Sequence, residues 1–473
     1  MKTVIIGAGP AGLTAAYQLS KATADVDVFE ADGCVGGLSR SFKLWDQTVD
    51  LGPHRFFSQD RRVNEIWLEV ARRDYAMVNR QTRISYQGKL FQYPLEAMDA
   101  LTKLGLLKAV LCVGSYAAEL ASPTIQNGSF ESWVCSRFGR RLYEIFFKTY
   151  SEKLWGIPCT ELDADFAAQR IKKFSLSAAI KGALFPHNKT KHRTLVDEFA
   201  YPTGGTGMIY ERMAKAVSER GGRVHLKTPV KKLLTDGNAV TGIELVSGEK
   251  MPCDQVISSM PLTVLVSQLD GAPPAVINAC RQLKFRNTIL IYLEVLNENP
   301  FPDNWIYVHN PDLQFGRITN FRNWVPQICG DSPNAILALE YWCNSEDEFW
   351  KRDDEQLMNQ ARAEIIKSGL VSRLDKLGRS LVFRIPKSYP VYHRGYQPHL
   401  KVIQDYLATF TGLQVIGRYG SFKYNNQDHS ILMGRLAAEN ILQKQKHDLW
   451  GVNTDYESYQ EECAISEAGL VTA

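Results

Sequence analysis

Apolar and polar positions at the start of the chain form two strand patterns with a helical pattern between them. Residues 3–6 (TVII) are apolar enough for a short buried strand, and residues 11–21 are rich in strong helix formers. Residues 26–30 (VDVFE) predict a second strand. A strand, a loop, a helix and a second strand in immediate succession indicate an α/β fold.

The apolar pattern changes twice more along the chain. From residue 95 to about residue 191 it is helical, with helices expected over 101–121 and 130–150. Farther on it predicts short strands at 224–226, 240–245, 255–258, 287–296, 305–308, 316–321, 335–341 and 413–416. A helix is expected from about residue 431 to residue 444. The last twenty residues are polar, and we expect them to be loosely ordered.

Length and composition indicate a globular protein with more than one lobe. The 473 residues, 45% hydrophobic and 22% charged, are too many for one compact core. A net charge of +4 is nearly balanced, so no nucleic-acid partner is expected. The nine cysteines form no CxxC pair, which predicts neither a disulfide framework nor a metal site. The scattered cysteines indicate reduced thiols and a cytoplasmic location. Because Lys108 and Glu119 interrupt the longest apolar stretch, we expect no membrane span.

The loop between the first strand and the first helix has the sequence Gly7-Ala8-Gly9-Pro10-Ala11-Gly12. Gly7 permits a tight turn, Gly9 lets the backbone approach a pyrophosphate, and Gly12 lets helix and strand pack closely. The phosphates then lie at the helix N-terminus, where N–H groups and the helix dipole favour negative charge. Glu30 ends the second strand and can accept hydrogen bonds from ribose hydroxyls. The sequence therefore predicts a dinucleotide site.

Two further segments favour FAD over NAD at this site. Residues 31–38 (ADGCVGGL) resemble the glycine pair that follows the acid in amine-oxidase-like flavoproteins. Gly417-Arg418 closes a strand and precedes a helix, and it resembles the segment that closes over the flavin in those proteins. FAD is therefore the expected cofactor.

Several other motifs resemble the UDP-galactopyranose mutase family, in order from residue 3 to about residue 442. Residues 50–57 (DLGPHRFF) resemble that family's segment over the flavin, and residues 146–156 (FFKTYSEKLWG) resemble its substrate helix. Residues 305–307 (WIY), Arg317 and residues 323–324 (NW) resemble the diphosphate-binding strands of the longer, eukaryotic-type mutases. Residues 417–424 (GRYGSFKY) and 426–430 (NQDHS) resemble the C-terminal signature of the eukaryotic-type mutases.

The resemblance implies an α/β fold in which an FAD-binding Rossmann-like (GR2-type) domain carries a helical substrate domain and an antiparallel β-sheet domain. The expected FAD-binding domain is discontinuous, over 1–95, 200–270 and 400–445. The helical domain is expected at 96–199, the sheet domain at 271–399 and a polar tail at 446–473.

The implied activity is that of an FAD-dependent isomerase of galactofuranose and polysaccharide biosynthesis. It would interconvert the pyranose and furanose forms of a nucleotide-diphosphate sugar like UDP-galactopyranose. N5 of the reduced flavin would attack the anomeric carbon, with no net oxidation. The reductant stays open between NADPH, NADH and a separate reductase, and so does the oligomeric state.

The resemblance also assigns roles to individual residues. His54 is expected beside the flavin ring, and Arg317 and Arg418 are expected to clamp the diphosphate, since a planar guanidinium makes paired bonds to phosphate oxygens. These three are the expected catalytic residues. The other expected cofactor-binding residues are Gly7, Gly9, Gly12, Glu30, Gly37, Leu38, Val230, Gly417, Asn426, Gln427 and Ser430. The other expected substrate-binding residues are Phe57, Tyr86, Phe146, Lys148, Tyr150, Trp155, Tyr307, Tyr389 and Tyr424.

Each of these residues could also have a purely structural role. His54 could be a hydrogen-bonded histidine in a turn, the aromatic residues could belong to a core, and the two arginines could form ion pairs. The chain also departs from the family at Phe422, in a shorter loop after Asn425 and at residues 172–197, which do not match the expected mobile flap. The competing function is an FAD-dependent oxidoreductase of the amine oxidase or protoporphyrinogen oxidase class. A flavin-binding protein without catalysis is the third.

Overall fold

The computed structural model of the chain describes residues 1–22, 25–164, 198–452 and 463–472. These residues divide into two units, each assembled from separated stretches of chain. The first unit comprises Met1–Val78, Phe199–Lys284 and Tyr396–Ala473, and the second comprises Asn79–Glu198 and Phe285–Gly395. Residues 172–197, whose sequence does not match the expected mobile flap, lie outside the described residues.

The strands in the described residues are numbered in chain order. They are β1 (Lys2–Ile6), β2 (Asp25–Phe29), β3 (Ser41–Leu44), β4 (Gln47–Asp50), β5 (Tyr75–Asn79), β6 (Thr82–Tyr86), β7 (Lys89–Gln92), β8 (Glu198–Pro202), β9 (Arg223–His225), β10 (Val230–Asp236), β11 (Ala239–Leu245), β12 (Lys250–Pro252), β13 (Gln255–Ser258), β14 (Lys284–Val295), β15 (Trp305–Val308), β16 (Arg317–Asn320), β17 (Ala335–Cys343), β18 (Leu377–Val391), β19 (Leu413–Val415), β20 (Cys463–Ser466) and β21 (Gly469–Thr472).

The α-helices in the same residues are numbered likewise. They are α1 (Pro10–Lys21), α2 (Arg61–Ala71), α3 (Ala97–Leu104), α4 (Leu106–Ala121), α5 (Phe130–Phe138), α6 (Arg140–Tyr143), α7 (Thr149–Trp155), α8 (Gly207–Glu219), α9 (Leu262–Ser267), α10 (Pro274–Gln282), α11 (Pro326–Cys329), α12 (Glu348–Lys351), α13 (Asp354–Lys367), α14 (Tyr396–Leu407), α15 (Gly417–Gly420) and α16 (Gln427–Leu442). A π-helical turn, Glu144–Lys148, joins α6 to α7.

The first unit is built on a five-stranded sheet in the order β19-β13-β1-β2-β9. All four strand pairs are parallel, and β1 lies at the centre between β13 and β2. A parallel sheet is covered on both faces, which explains why its central apolar residues are buried. Val4, Ile5, Val28 and Ile257 are accordingly fully buried. This is the Rossmann-like arrangement that the first residues of the sequence predict.

Helix α1 packs against both C-terminal helices of this unit through small residues. A Cβ added at Gly434 of α16 would lie 2.3 Å from the carbonyl oxygen of Ala11, so only glycine allows this approach. A Cβ at Gly417, the first residue of α15, would lie 3.1 Å from the Cβ of Ala11. Helices α15 and α16 are therefore held directly on the helix that follows the glycine loop.

The second unit contains a seven-stranded sheet in the order β18-β14-β17-β16-β15-β6-β7. Strand β6 pairs in parallel with β15, whereas the β14–β17, β17–β16, β16–β15 and β6–β7 pairs are antiparallel. Helix α13 packs on the core of this unit through Leu357, Ala361 and Ile365, which are spaced four residues apart and therefore share one face.

Glycines with positive φ divide two of the expected helices. The helix expected over 101–121 is broken at Gly105 (φ 84°), and the one expected over 130–150 is broken at Gly139 (φ 76°). Helix α16 begins four residues earlier than expected, at Gln427. The side chains of Asn426 and His429 form a capping box there, with Asn426 as the N-cap residue.

The unit boundaries differ from the expected domain boundaries. Residues 79–95 lie in the second unit because β6 and β7 join its sheet, and residues 271–284 lie in the first. The expectation of a loosely ordered tail was wrong for residues 463–472, which form a hairpin with Cys463 buried. Across the four described ranges, no helix is long and apolar enough to cross a membrane, and no group of three or more His, Cys, Asp or Glu could hold a metal ion.

Candidate cofactor and substrate sites

The glycine loop between β1 and α1 has almost no room for side chains. A Cβ at Gly12 would lie 2.0 Å from the carbonyl oxygen of Gly7, and a Cβ at Gly7 would lie 2.3 Å from the hydroxyl of Ser259. A Cβ at Gly37 would lie 3.1 Å from the Cα of Gly9, so the second glycine segment meets the loop. The backbone of this loop is therefore bare of side chains and forms a concave surface, which we call the glycine cradle. A Cβ would fill it, and its bare backbone fits a bound pyrophosphate.

The charges around this loop suit a dinucleotide. Helix α1 begins at Pro10, after Gly9, which has no side chain to cap it, and its first turn has no acidic residue. Its N-terminal partial positive charge therefore stays available to a phosphate. Glu30 accepts hydrogen bonds from the backbone N–H groups of Ala8 (2.8 Å) and Asp32 (2.9 Å), which places its carboxylate beside the loop.

The structure brings together His54 and the start of α16, both of which are predicted to face the flavin. Nε2 of His54 lies 2.9 Å from the carbonyl oxygen of Leu51. The side chain of Gln427 donates to the carbonyl of His54 (3.3 Å) and accepts from the hydroxyl of Tyr210 (2.7 Å). His54 is therefore held in a hydrogen-bonded turn, which leaves both interpretations of this residue standing.

Asp50 is a residue of this region to which the sequence assigned no role. Its carboxyl is fully buried and accepts from the hydroxyls of Ser41 (2.5 Å) and Tyr201 (2.7 Å) and from the N–H of Thr206 (3.3 Å). Burial raises the pKa of Asp50 to about 7, because these hydrogen bonds only partly offset the loss of water. Asp50 opens the 50–57 motif, but sequence alone does not show its burial.

The other predicted cofactor residues lie in several separate segments of the first unit. The Arg418 guanidinium lies 4.4 Å from the ring centre of Tyr424 and donates to the carbonyl of Asn425 (3.0 Å). Leu38 lies in a short 3-10 turn, Val230 is the first residue of β10, and Ser430 lies in the first turn of α16. Phe57, a predicted substrate residue, has its ring 6.0 Å from the Arg55 guanidinium.

The second unit gathers most of the predicted substrate-binding aromatics into two adjoining groups. In the first group, Phe146 contacts Tyr86 (6.2 Å between ring centres) and Phe91 (5.2 Å, edge to face). In the second, Tyr150 meets Tyr307 edge to face at 5.5 Å.

The remaining members of this substrate set differ in exposure. Trp155 is buried with its ring 6.2 Å from that of Tyr389, while Lys148 is exposed on the π-helical turn. Burial of Phe146 and Trp155 is compatible with a core role as well as with ligand contact.

Arg317 is oriented by a carboxylate that sequence analysis did not identify. Its Nε and Nη2 donate to the two oxygens of Glu340 at 2.5 and 2.6 Å, and Nη2 lies 3.4 Å from the hydroxyl of Tyr389. The Arg317 side chain is 15% exposed and that of Glu340 is 3% exposed. Burial alone would lower the pKa of Arg317, but the ion pair outweighs it and holds the pKa well above its ordinary value.

Two further groups fix the helix that carries Tyr150. The amine of the half-buried Lys153 donates to the carbonyls of Val308, Asn310 and Phe315, which fastens α7 to the β15–β16 connection. Burial lowers the pKa of Lys153 to about 8. Tyr150 stacks on His309 (5.0 Å), whose pKa is lowered to about 3 by burial and by Lys153, so this imidazole is neutral.

The predicted clamp of two arginines stays a prediction. Arg317 belongs to the second unit and Arg418 to the first. Each has an intra-unit partner, Glu340 for the former and the ring of Tyr424 for the latter.

Comparison with known proteins places the chain in a family. The model of the family described as flavin containing amine oxidoreductase matches residues 10–442. A crystal structure of reduced UDP-galactopyranose mutase superposes with a TM-score of 0.83 and 24% identity, covering 96% of both chains. Coproporphyrinogen III oxidase of Staphylococcus aureus is 21% identical over 93% of this chain and 98% of its own length. A probable UDP-galactopyranose mutase of Klebsiella pneumoniae is 28% identical over 36% of this chain and 45% of its own.

The family match covers nearly the whole chain, including Gly12, Glu30, Gly37 and the residues of α15 and α16. The chain therefore belongs to the flavin containing amine oxidoreductase family, which confirms both the expected α/β fold and the expected FAD cofactor.

Proposed function

We propose that this chain is an FAD-dependent mutase that interconverts the pyranose and furanose forms of a nucleotide-diphosphate sugar. The ordered set of motifs and the likeness to the fold of reduced UDP-galactopyranose mutase support the class of enzyme. The observation that carries the proposal is Arg317, a nearly buried guanidinium that Glu340 holds beside the hydroxyl of Tyr389. A buried cation beside a phenol suits an anionic, hydrogen-bonding ligand and does not suit an apolar one.

Arg317 is proposed to bind the diphosphate. Two of its nitrogens, Nε and Nη2, donate to Glu340, so Nη1 is the one with no assigned partner among the described residues. A charge-assisted hydrogen bond to a phosphate oxygen contributes about 1.5–3 kcal/mol. Because Glu340 fixes the plane of the guanidinium in advance, little side-chain entropy is lost when the phosphate binds.

The aromatic groups of the second unit are proposed to receive the base and the sugar. Tyr86 and Phe146 offer ring faces and edges of the kind that stack on a nucleobase. Tyr150 and Tyr307 add hydroxyl donors, and Tyr150 is kept in place by the neutral ring of His309. The work of these residues is to orient the substrate and to exclude water.

In the first unit, the residues that hold the cofactor also set the surroundings of its ring. When bound in reduced form, FAD supplies the nucleophile for the anomeric carbon. His54 is proposed to lie beside the ring, in an orientation fixed by its contact with Leu51 and by Gln427. The glycine cradle and Glu30 are proposed to hold the pyrophosphate and the ribose.

The proposal is tested with the holoenzyme and UDP-galactopyranose under anaerobic conditions. Conversion to the furanose form is expected only after dithionite reduction, and Arg317→Ala is expected to lower kcat/KM by about 10- to 150-fold, the equivalent of one charge-assisted bond. Arg379→Ala is the matched control, because Arg379 pairs in the same two-pronged way with the buried Glu294 of the same unit. Equal losses in the two variants, or none in either, would refute a binding role for Arg317.

A second candidate is an FAD-dependent oxidoreductase, favoured by the similarity to a coproporphyrinogen III oxidase over 98% of that protein's length. An oxidoreductase is reduced by its own substrate, whereas a mutase needs only an initial reduction. Adding UDP-galactopyranose or coproporphyrinogen III anaerobically to the oxidised enzyme separates the two. Loss of the yellow colour with coproporphyrinogen III would identify an oxidase, and conversion of the sugar only after dithionite would identify a mutase.

A further inference from the structure

The backbone that connects β15 to β16 is held between a cation and an anion of the second unit. The ammonium of Lys153, on α7, donates to three backbone carbonyls in and beside this connection, those of Val308 (3.3 Å), Asn310 (2.6 Å) and Phe315 (3.4 Å). The carboxylate of Glu364, on α13, accepts from the N–H of Phe315 at 3.3 Å. Two charged side chains from different helices therefore fix the β15–β16 connection, which comprises residues 309–316.

The β15–β16 connection lies between residues that are proposed to bind the substrate. Tyr307 lies next to Val308 on β15, and Arg317 is the first residue of β16. Tyr150 lies three residues before Lys153 on α7, so both side chains lie on the same side of that helix. One ammonium thus joins the helix of one proposed substrate residue to the backbone that carries two others.

We propose that Lys153 is a positioning residue for the proposed substrate site of Tyr150, Tyr307 and Arg317. The ammonium keeps the β15–β16 connection in place, and loss of its proton to water releases the connection and weakens binding. This inference rests on the proposed function, since it takes these residues to bind a nucleotide diphosphate. An ammonium has three N–H donors, one for each carbonyl, whereas the neutral amine has two donors and a lone pair that repels the third carbonyl oxygen.

Titratable and charged groups from four parts of the second unit surround this amine and its partners. They are Glu364 of α13, Asp312 and His309 of the connection, Arg286 of β14 and Tyr341 of β17. Glu364 and Asp312 attract the ammonium, and Arg286 donates to the backbone carbonyl of Lys153 at 3.1 Å. His309, with a pKa of about 3, and Tyr341, with a pKa well above its ordinary value, both stay neutral between pH 7 and pH 9.

Lys153 itself changes charge within this interval. Burial lowers its pKa to about 8, although Glu364 and Asp312 favour the charged form. The ammonium therefore predominates below pH 8 and is lost above it, with about nine tenths of the chains protonated at pH 7 and about one tenth at pH 9. Arg317 keeps its charge throughout, because Glu340 holds its pKa well above the ordinary value.

The first experiment needs no substrate and measures hydrogen exchange of the holoenzyme by mass spectrometry. The amides of Val308 and Gly316 report on the connection, since they donate to the carbonyls of Gly316 (2.8 Å) and Glu340 (3.0 Å). In Lys153→Met, which has a similar length and no charge, both amides are expected to exchange about tenfold faster, because local opening no longer breaks a charge-assisted hydrogen bond.

Lys367→Met is the matched control for hydrogen exchange. Lys367 is exposed on α13 and donates to another carbonyl of the same connection, that of Asp312, at 3.0 Å. Its loss is expected to leave the amides of Val308 and Gly316 unchanged. Unchanged exchange in Lys153→Met, or the same increase in both variants, would overturn the proposal.

The second experiment measures binding of UDP to the holoenzyme by isothermal titration calorimetry at pH 7 and pH 9. Because the apparent dissociation constant is divided by the fraction of competent chains, it is expected to rise about tenfold in the wild type. Lys153→Arg stays charged at both pH values and is expected to show no such rise, while Lys153→Met is expected to bind weakly at both. Titration of UDP itself cancels in the ratio of wild type to Lys153→Arg.

The two experiments separate failure of this inference from failure of the proposed function. A merely structural role for Lys153 would weaken binding in Lys153→Met but give the wild type and Lys153→Arg the same dependence on pH, and that result would overturn the proposal. Faster exchange in Lys153→Met without binding of UDP to the wild type at either pH would refute the proposed function and support the hold of Lys153 on the connection.

Discussion

Replacing Asp50 by asparagine is expected to change how stability depends on pH, with little change in shape. The carboxyl is fully buried and joins three parts of the first unit through Ser41, Tyr201 and Thr206. Asparagine has nearly the same size and keeps an oxygen to accept from Ser41, and the Tyr201 hydroxyl can turn to accept from the new amide. The substitution therefore removes the charge and retains most of the hydrogen bonds.

The sign and size of the effect follow from the raised pKa of Asp50. The ordinary value is 3.8 and the folded value is about 7. A group whose pKa is raised by folding contributes stability below its unfolded pKa, and this stability is lost as the pH rises through the folded pKa. At about 1.36 kcal/mol per pKa unit, the full loss is about 4 kcal/mol, of which about 2–3 kcal/mol falls between pH 5 and pH 8. Asp50→Asn does not titrate, so relative to the wild type it gains this amount over that interval.

The assay is urea denaturation of the holoenzyme at pH 5 and pH 8, followed by the fluorescence of released FAD. The measured quantity is the difference in unfolding free energy between variant and wild type at each pH, so that other titrating groups cancel. Glu294→Gln is the control: a hydrogen bond from Arg379 lowers the pKa of Glu294 to about 2, so this carboxyl stays ionised over the interval. A difference for Asp50→Asn that is the same at both pH values would show that Asp50 is charged in the folded chain and refute the reasoning.

Three further substitutions have defined outcomes. Gly12→Ala places a Cβ 2.0 Å from the carbonyl oxygen of Gly7 and is expected to abolish stoichiometric FAD binding, measured as flavin absorbance per chain. Gly156→Ala places a Cβ 2.4 Å from the Arg286 guanidinium at a residue with φ 68°, so a loss of about 2–3 kcal/mol in urea unfolding is expected. Glu340→Ala leaves its buried arginine uncompensated and is expected to cost about 3 kcal/mol by the same measurement.

Two of these substitutions have a matched comparison, and the third has an outcome that would contradict it. Gly114→Ala alters a helical glycine with open space around it, so full FAD content is expected there, and equal flavin loss would contradict the steric argument for Gly12. Gly88→Ala alters a glycine of similar φ (72°) with nothing within 4 Å, which isolates the backbone strain from the clash at Gly156. For Glu340, unchanged stability would mean that the arginine reaches water without its partner.

The geometry of the glycine loop in the candidate cofactor site was predictable because its information is local. Gly7, Gly9, Gly12 and Glu30 lie within one strand–helix–strand segment, and their spacing alone places them around one loop. The carboxyl groups that support the two sites were not predictable in this way. Glu340 faces Arg317 only through the register of β16 against β17, and Tyr201 reaches Asp50 from a strand 151 residues away.

The same distinction explains the errors in the expected boundaries. Helix periodicity continues through Gly105 and Gly139, so the apolar pattern alone does not reveal where the backbone turns. The polar composition of the last residues conceals Cys463 and the hairpin around it, which the hydroxyl of Tyr75 helps to hold by donating to the carbonyl of Ser466 (2.7 Å). Contact with a distant segment contributes to both structures, through the pairing of β6 with β15 and through the hydrogen bond from Tyr75 to the β20–β21 hairpin, and no local pattern records it.

The order of strands in the five-stranded sheet has a consequence for synthesis of the chain. Strand β1 is made before both β13 and β19, because β13, its neighbour on one side, begins at Gln255, and the edge strand β19 begins only at Leu413. At about 5–20 residues per second, the ribosome needs roughly 20–80 s to deliver that last strand, and helix α16 comes later still. Until these partners are made, the glycine loop and the apolar side of α1 stay uncovered in the nascent chain. We therefore expect chaperones and an early supply of flavin to raise the yield of active protein, even if the finished protein is stable.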